Sequence, residues 1–317
     1  MTDRPLVSIV TPSLNQGEFI RGTIESVLSQ EYPNIEYLVM DGGSTDNTLE
    51  ILRSYGENLS WVSEHDSGQS QAINKGWKLA RGEIITWLNA DDLLCQDAVS
   101  QAVFAFETSG DDLAVVYGDC DYIDVEGHYL GNYPSREFNY EQLVLQTEDY
   151  IPQPGTFINH KWAVQVGMLD EDLHFVMDYD LWLRLGMRAR FKYLSQKMSF
   201  ARLHGGAKTL SSAPRFGEEL ASVFIRLVDN NEFPSHLLRR KEAILINAFV
   251  HAASYCFWGG DTIRARYFLY RAWRLSPLIR NRSFWRLLLF SLAGRAGWRL
   301  AEKTHGNPFR FEKRSLL

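Results

Sequence analysis

Apolar positions along the first ninety residues switch repeatedly between two spacings. The run "LVSIVT" (6–11) is β-branched and continuous; after a polar turn, Ile20, Ile24, Val27 and Leu28 recur at helical spacing. The pattern returns with "IEYLVM" (35–40), then the loop "DGGSTDNT", rich in helix-capping residues, then Leu49, Leu52 and Tyr55 on one face. It returns again with "LSWVS" (59–63), a polar loop, and a helix whose Ala72, Ile73, Gly76, Trp77 and Ala80 share a face, before a fourth strand, "EIITWL" (83–88). Strands alternating with helices predict right-handed crossovers and an α/β fold built on a mainly parallel sheet covered by helices. Such sheets bind ligands at the carboxyl ends of their strands.

Each predicted strand ends in a polar cluster: "TPSLN", "DGGSTD", "SEHDSG" and "NADD". Any one of these is ordinary loop and capping chemistry, but four on one edge predict a site. The chain has neither G-x-x-x-x-G-K-[ST] nor a G-x-G-x-x-G after the first strand, so a phosphate would be held by other means. Adjacent carboxylates at a strand end, Asp91 and Asp92, suit a hard divalent cation, Mn²⁺ or Mg²⁺, that bridges to diphosphate oxygens. The competing reading makes one of them the cap of the following helix.

Composition sets the limits. With 317 residues, 45% of them hydrophobic, the chain can bury a sizeable core in two domains or in one with an appendage. Cys95, Cys120 and Cys256 show neither pairing nor metal-type spacing, which points to a reducing compartment. No signal-like segment or run of membrane-spanning length occurs, and a cytoplasmic location is expected. The net charge of -6 conceals a division: residues 235–317 carry 16 Lys+Arg against 4 Asp+Glu, leaving 17 against 35 before them. An acidic body suits cations, and a basic, aromatic-rich tail suits an anionic surface.

The segments "VSIVTPSLNQGEFIRGTIESVLSQEYPNIEYLVMDGGSTDNTLEIL" and "SEHDSGQSQAINKGWKLARGEIITWLNADD" resemble glycosyltransferase family 2, over about residues 5–210. The resemblance implies the GT-A fold. It also implies inverting transfer of a sugar from a nucleoside-diphosphate donor, such as a UDP-, GDP- or dTDP-sugar, to an acceptor hydroxyl. By position it would have Thr11, Pro12 and Asn15 line the nucleotide, Asp41 hydrogen-bond the base, and Asp66 and Gln69 lie beside it. Asn89, Asp91 and Asp92 stand in place of the family's D-x-D element; with Asn89 replacing the first carboxylate, metal contact is expected at Asp91, with Asp92 in support.

Transfer also needs a base for the acceptor hydroxyl. "HFVMDYDLWLRLG" (174–186) puts Asp178 and Asp180 at the opening of a helix, and resembles the family segment that carries the base, with Met177 where that segment has Glu and Asp178 matching its Asp. Asp178 is the expected base and Asp180 a structural residue; helix capping is the plainer alternative for Asp178. Gln153, Pro154 and Thr156 resemble the acceptor-side wall. In "RLHGGAKT", His204 could complete the metal site and Lys208 could neutralise the leaving diphosphate.

These readings divide the chain into a catalytic domain, 1–214, with a nucleotide-sugar half to about 120 and an acceptor half to 214, and a basic helical region, 215–317. The helical region could lie on the inner face of the cell membrane, pack on itself, or form a homodimer interface. Nucleic acid is not expected, since no recognised module occurs and the body is acidic. A glycan or lipid-linked acceptor, in cell-surface polysaccharide or glycolipid synthesis, follows from family habit. The alternatives are a silent nucleotide or glycan binder, which Asn89 and Met177 favour, and a nucleotidyltransferase, which lacks its expected Gly-rich, Arg-containing loop.

Overall fold

The computed structural model describes residues 4–204, 212–279 and 281–305. Its contacts divide the chain into two compact units, Met1–Phe138 with Asp149–Arg202, and Asn139–Glu148 with Leu203–Leu317. The sequence reading divides the chain at 214 instead.

In the first unit the alternating spacings become β1 (Val7–Ser13), α1 (Ile20–Leu28), β2 (Ile35–Asp41), α2 (Thr48–Ser54), β3 (Ser60–Ser63), α3 (Gln69–Leu79) and β4 (Ile84–Trp87). There follow β5 (Leu93–Leu94), α4 (Ala98–Glu107), β6 (Leu113–Ile123), β7 (Tyr129–Asn132), β8 (Phe157–Asn159), α6 (His160–Gln165), α7 (Met177–Gly186) and β9 (Arg190–Arg202). The sheet runs β3-β2-β1-β4-β8-β6-β9-β5, with β7 on the side of β6. This is the expected curled α/β architecture. Every residue of β1 is buried, as a central strand covered on both faces requires. The register pairs Ser13 with Asp41 and Asp41 with Ser63, so three strands end on one rung.

Three strands depart from the expected parallel pairing: β5 runs antiparallel to β9, β7 to β6, and the three-residue β8 to both β4 and β6. β8 falls in a stretch read from the sequence as loop. Three residues are too few to display the two-residue alternation that marks a strand.

Trp77 of α3 meets Trp87 of β4 edge-on, and Trp87 stacks on Trp182 of α7 with centroids 5.9 Å apart. All three rings are fully buried, which fixes α3 and α7 to the strand between them. α3 comes unusually close to the sheet at Gly76, where a Cβ would lie 2.5 Å from Cγ1 of Val10.

The second unit contains α5 (Tyr140–Gln146), α8 (Ala213–Asp229), α9 (Ser235–Leu238), α10 (Lys241–Trp258), α11 (Thr262–Leu275), α12 (Arg282–Leu292) and α13 (Gly294–His305). α11 and α12 begin at side-chain caps from Asp261 and Asn281. Ala248, Ala252, Ala253 and Phe257 bury one side of α10, whereas Tyr267, Tyr270, Trp273, Trp285 and Leu289 on α11 and α12 stay substantially exposed. Among the described residues no helix is long and apolar enough to cross a membrane.

Candidate active site

The strand-end loops are bound to each other before any ligand is considered. Asp41, at the end of β2 and 2% exposed, accepts the backbone N–H groups of Gly43 and Ser44 and the hydroxyls of Ser44 and Ser63. These four bonds use the roughly four acceptor positions of a carboxylate. Asp41 therefore shapes the loop from within, and the expected bond to a base would have to displace one of them. Asn15 sits in the left-handed region at φ 53°, which asparagine tolerates better than most residues. Its Oδ1 accepts the N–H of Thr45 at 2.8 Å and its own N–H donates to Ser44, so the first two loops are strapped together.

Thr11 and Pro12 are buried in β1. The hydroxyl of Thr11 is shared with the Tyr37 hydroxyl at 3.1 Å, so this side chain serves the core. Asp66 accepts the N–H of Gly68 and lies over Gly42, where a Cβ would come within 2.8 Å of its Oδ2.

A continuous relay runs through the loop after β4. Gln69, opening α3, donates Nε2 to Asn89 Oδ1 at 2.6 Å, and Asn89 donates Nδ2 to Asp92 Oδ2 at 3.0 Å. Asp92 Oδ1 accepts the backbone N–H of Arg202 at 2.9 Å. Burial, and then the neighbouring charge of Asp91, raise the Asp92 carboxyl well above its ordinary range. Asp91 keeps a partly exposed position beside it. Arg202, which sequence reasoning passed over, donates its guanidinium to the carbonyls of Asp91, Asp124 and Val125 and so pins this loop to the end of β6.

The donor set suits a divalent cation held partly by the protein and partly by a diphosphate. Asp91 is the more accessible of the two carboxylates, and Asp92 holds the loop's shape. The closest grouping of three metal-type side chains among the described residues lies elsewhere, at Asp124, Glu126 and His128 in the turn after β6. There Asp124 accepts the His128 backbone N–H and contacts its ring, which is ordinary turn chemistry. His204 follows β9 and belongs to the second unit, and Lys208 lies outside the described residues.

Asp178 occupies the first turn of α7, half-buried, and accepts the N–H of Tyr179 at 2.8 Å. Burial pushes its carboxyl up to about 6. Asp149, which sequence reasoning passed over, responds to it: burial, and then the charge of Asp178, raise Asp149 well above the carboxylate range. Burial disfavours the charged form of both carboxyls, and at Asp149 the charge of Asp178 adds to it, so Asp178 is the member that ionises first. Asp180 instead pairs with Arg184 at 2.7 Å, and Arg184 also binds the carbonyls of Val166 and Met168, the structural role expected.

Met177 ties α7 to the relay. The Ser70 hydroxyl, with one proton to give, lies within hydrogen-bond reach of both the Met177 thioether and the Leu173 carbonyl, so the opening turn of α3, with Gln69, meets that of α7, with Asp178. On the acceptor side, Gln153 donates Nε2 to the Trp87 carbonyl at 2.8 Å, and its buried Oε1 has no partner among the described residues. Pro154 accepts the Ser199 hydroxyl through its carbonyl. Thr156 is fully buried; its hydroxyl donates to the Pro152 carbonyl and its carbonyl receives Thr86, so it holds the segment's shape.

A profile of the family described as Glycosyl transferase family 2 matches residues 8–164. An uncharacterized glycosyltransferase of Rickettsia typhi is 28% identical over 79% of this chain and 78% of its own length. Chondroitin synthase of Escherichia coli is 31% identical over 63% of this chain but only 29% of its own. Among solved structures, residues 1–349 of Staphylococcus aureus TarS with UDP-GlcNAc superpose with a TM-score of 0.65 at 17% identity, covering 95% of this chain and 91% of that one. The mannosyltransferase PcManGT of Pyrobaculum calidifontis, with GDP-Man and Mn²⁺, gives 0.61 at 16% identity over 97% and 85%. At these identities the structures establish the GT-A fold.

Proposed function

This chain belongs to glycosyltransferase family 2 through residues 8–164, and from that premise we propose that it is an inverting, metal-dependent hexosyltransferase using a nucleoside-diphosphate sugar. The observation that carries the reading is the meeting of α3 and α7 at Ser70 and Met177, which joins the carboxylate loop after β4 to a carboxylate poised near pH 6. A cation bound at Asp91 would offset charge on the departing diphosphate.

The remaining work falls to side chains. Asp178, the first of the two carboxyls to ionise, accepts the proton of the acceptor hydroxyl. The acceptor oxygen bonds to the anomeric carbon as the bond from that carbon to the diphosphate breaks, and a single displacement of this kind inverts the centre. The relay from Gln69 through Asn89 to Asp92 holds Asp91 in place, and the loops of Asn15, Asp41 and Asp66 frame the nucleotide. Gln153, Pro154 and Thr156 are proposed to shape the acceptor side. His204 is proposed as a further metal ligand, and Lys208 as the cation that neutralises the departing diphosphate. UDP-, GDP- and dTDP-sugars are the donors to test, and a glycan or lipid-linked acceptor is proposed for cell-surface polysaccharide or glycolipid synthesis. The protein would work in the cytoplasm, with the exposed aromatic and basic positions of α11 and α12 against the membrane's inner face.

The test is a panel of nucleotide sugars with Mn²⁺, Mg²⁺ or chelator, read by thermal stabilisation and by release of nucleoside diphosphate. One donor should stabilise the protein in a metal-dependent way and be slowly hydrolysed. Binding without turnover would instead make this a silent binder, and pyrophosphate-dependent release of nucleoside triphosphate would make it a nucleotidyltransferase.

A further inference from the structure

Within the second unit, α10 and α12 enclose a cavity of about 190 Å³. That is well above the ~10–15 Å³ one water requires, and leaves room for several waters or one compact polar group. Its polar lining is His251, Ser254 and Trp258 from α10 and Ser283 and Arg286 from α12. None of these side chains has a hydrogen-bond partner among the described residues, and no carboxylate lines the cavity. Val250, Leu287 and Phe290 make the rest of the wall apolar.

We propose that this cavity binds the phosphate of an amphiphile, a phosphate ester attached to a hydrocarbon chain. Arg286 is exposed at the rim and supplies a planar, permanently charged fork suited to phosphate oxygens. Ser254, Ser283 and the indole N–H of Trp258 add neutral donors. Ser283 sits in the first turn of α12, where the helix carries partial positive charge. Burial lowers the pKa of His251, with the charge of Glu148 opposing, so the imidazole is neutral and adds a donor without a second fixed cation. The apolar wall disfavours a fully hydrated ion and suits an ester whose chain continues past it. One turn along α12 from Arg286, Leu289 is 66% exposed and extends apolar surface in that direction.

The cavity lies wholly in the helical unit, so the inference stands or falls independently of the transfer reaction. Calorimetric titration of the full chain with dihexanoyl phosphatidic acid, kept below its micelle concentration, tests it against dihexanoyl phosphatidylcholine and inorganic phosphate. Saturable binding of the acid is expected, about tenfold or more tighter than either comparison. Arg286→Gln and Ser254→Val should each weaken it about tenfold with unchanged helix content, while Arg266→Gln on α11 should not. Inorganic phosphate binding as tightly would remove the chain from the proposal. Equal weakening by Arg266→Gln would reduce the effect to diffuse surface charge, and absence of saturable binding would overturn the site.

Discussion

Asn89 gives its Nδ2 to Asp92 Oδ2 at 3.0 Å while its own Oδ1 receives the amide of Gln69 at 2.6 Å. Only a side chain that donates and accepts at once can stand in the middle of that relay. An aspartate there would face Asp92 with no proton to offer, alongside Asp91. The departure from the family's first carboxylate thus has a structural rationale: Asn89 holds the buried Asp92 in place beside its partly exposed neighbour Asp91.

Asn89→Asp should lower stability at pH 7.5 by about 2 kcal/mol, from the lost donor and the added repulsion. Urea unfolding measures this. A variant as stable as the parent would show that the relay does not hold the loop.

Asp178→Asn should cut turnover by about 10² to 10⁴-fold, the usual contribution of a positioned base. The same variant should melt higher at pH 7.5, because it removes a carboxylate that burial disfavours when charged. The sign follows from a folded pKa of about 6 against an ordinary value of 3.8. The contribution is fully present below 3.8 and lost as pH rises through about 6, so the advantage of Asn should shrink between pH 7 and pH 4. Lost activity with an unchanged or lower melting point would remove the buried-base reading.

Turnover should rise with pH through about 6 and then level, as Asp178 loses its proton. The rise at Asp178 comes from burial, with no charge from Asp149 among its causes, so Asp149→Asn should leave the midpoint nearly where it was. A midpoint falling to the ordinary carboxylate range in Asp149→Asn would mean that charge on Asp149, not burial, sets the value.

Gly76→Ala places a methyl 2.5 Å from Val10 Cγ1 and 3.1 Å from Met40 Cγ, so α3 must move. A loss of about 1 to 3 kcal/mol is expected, as for other overpacked cores. Since Gln69 opens the same helix, donor-induced thermal stabilisation should weaken as well. A fall in stability alone would separate α3's position from the site.

Much of the fold was legible in the sequence. β1 to β4 and the helices between them fall where apolar spacing put them. β8 did not show, being shorter than the pattern that reveals a strand. Within the site, Asp91, Asp92, Asn89, Gln69 and Asp178 stood out because strand ends and helix openings are local features. Asp149 sat in an unremarkable loop, and Arg202 read as one more charge at the end of a strand.

The sequence by itself determined which segments alternate between strand and helix, and that polar residues gather at the strands' carboxyl ends, because both follow from spacings within about fifteen residues. Tertiary structure alone decided which polar residues meet. Asp92 receives an N–H from a residue 110 positions away, and Ser70 reaches Met177 across 107. It also decided that Thr11, Asp41 and Thr156 turn inward while Asp91 stays at the surface. Those outcomes depend on packing at the Trp77, Trp87 and Trp182 stack and on burial that lifts one carboxyl to about 6, and no local pattern encodes either.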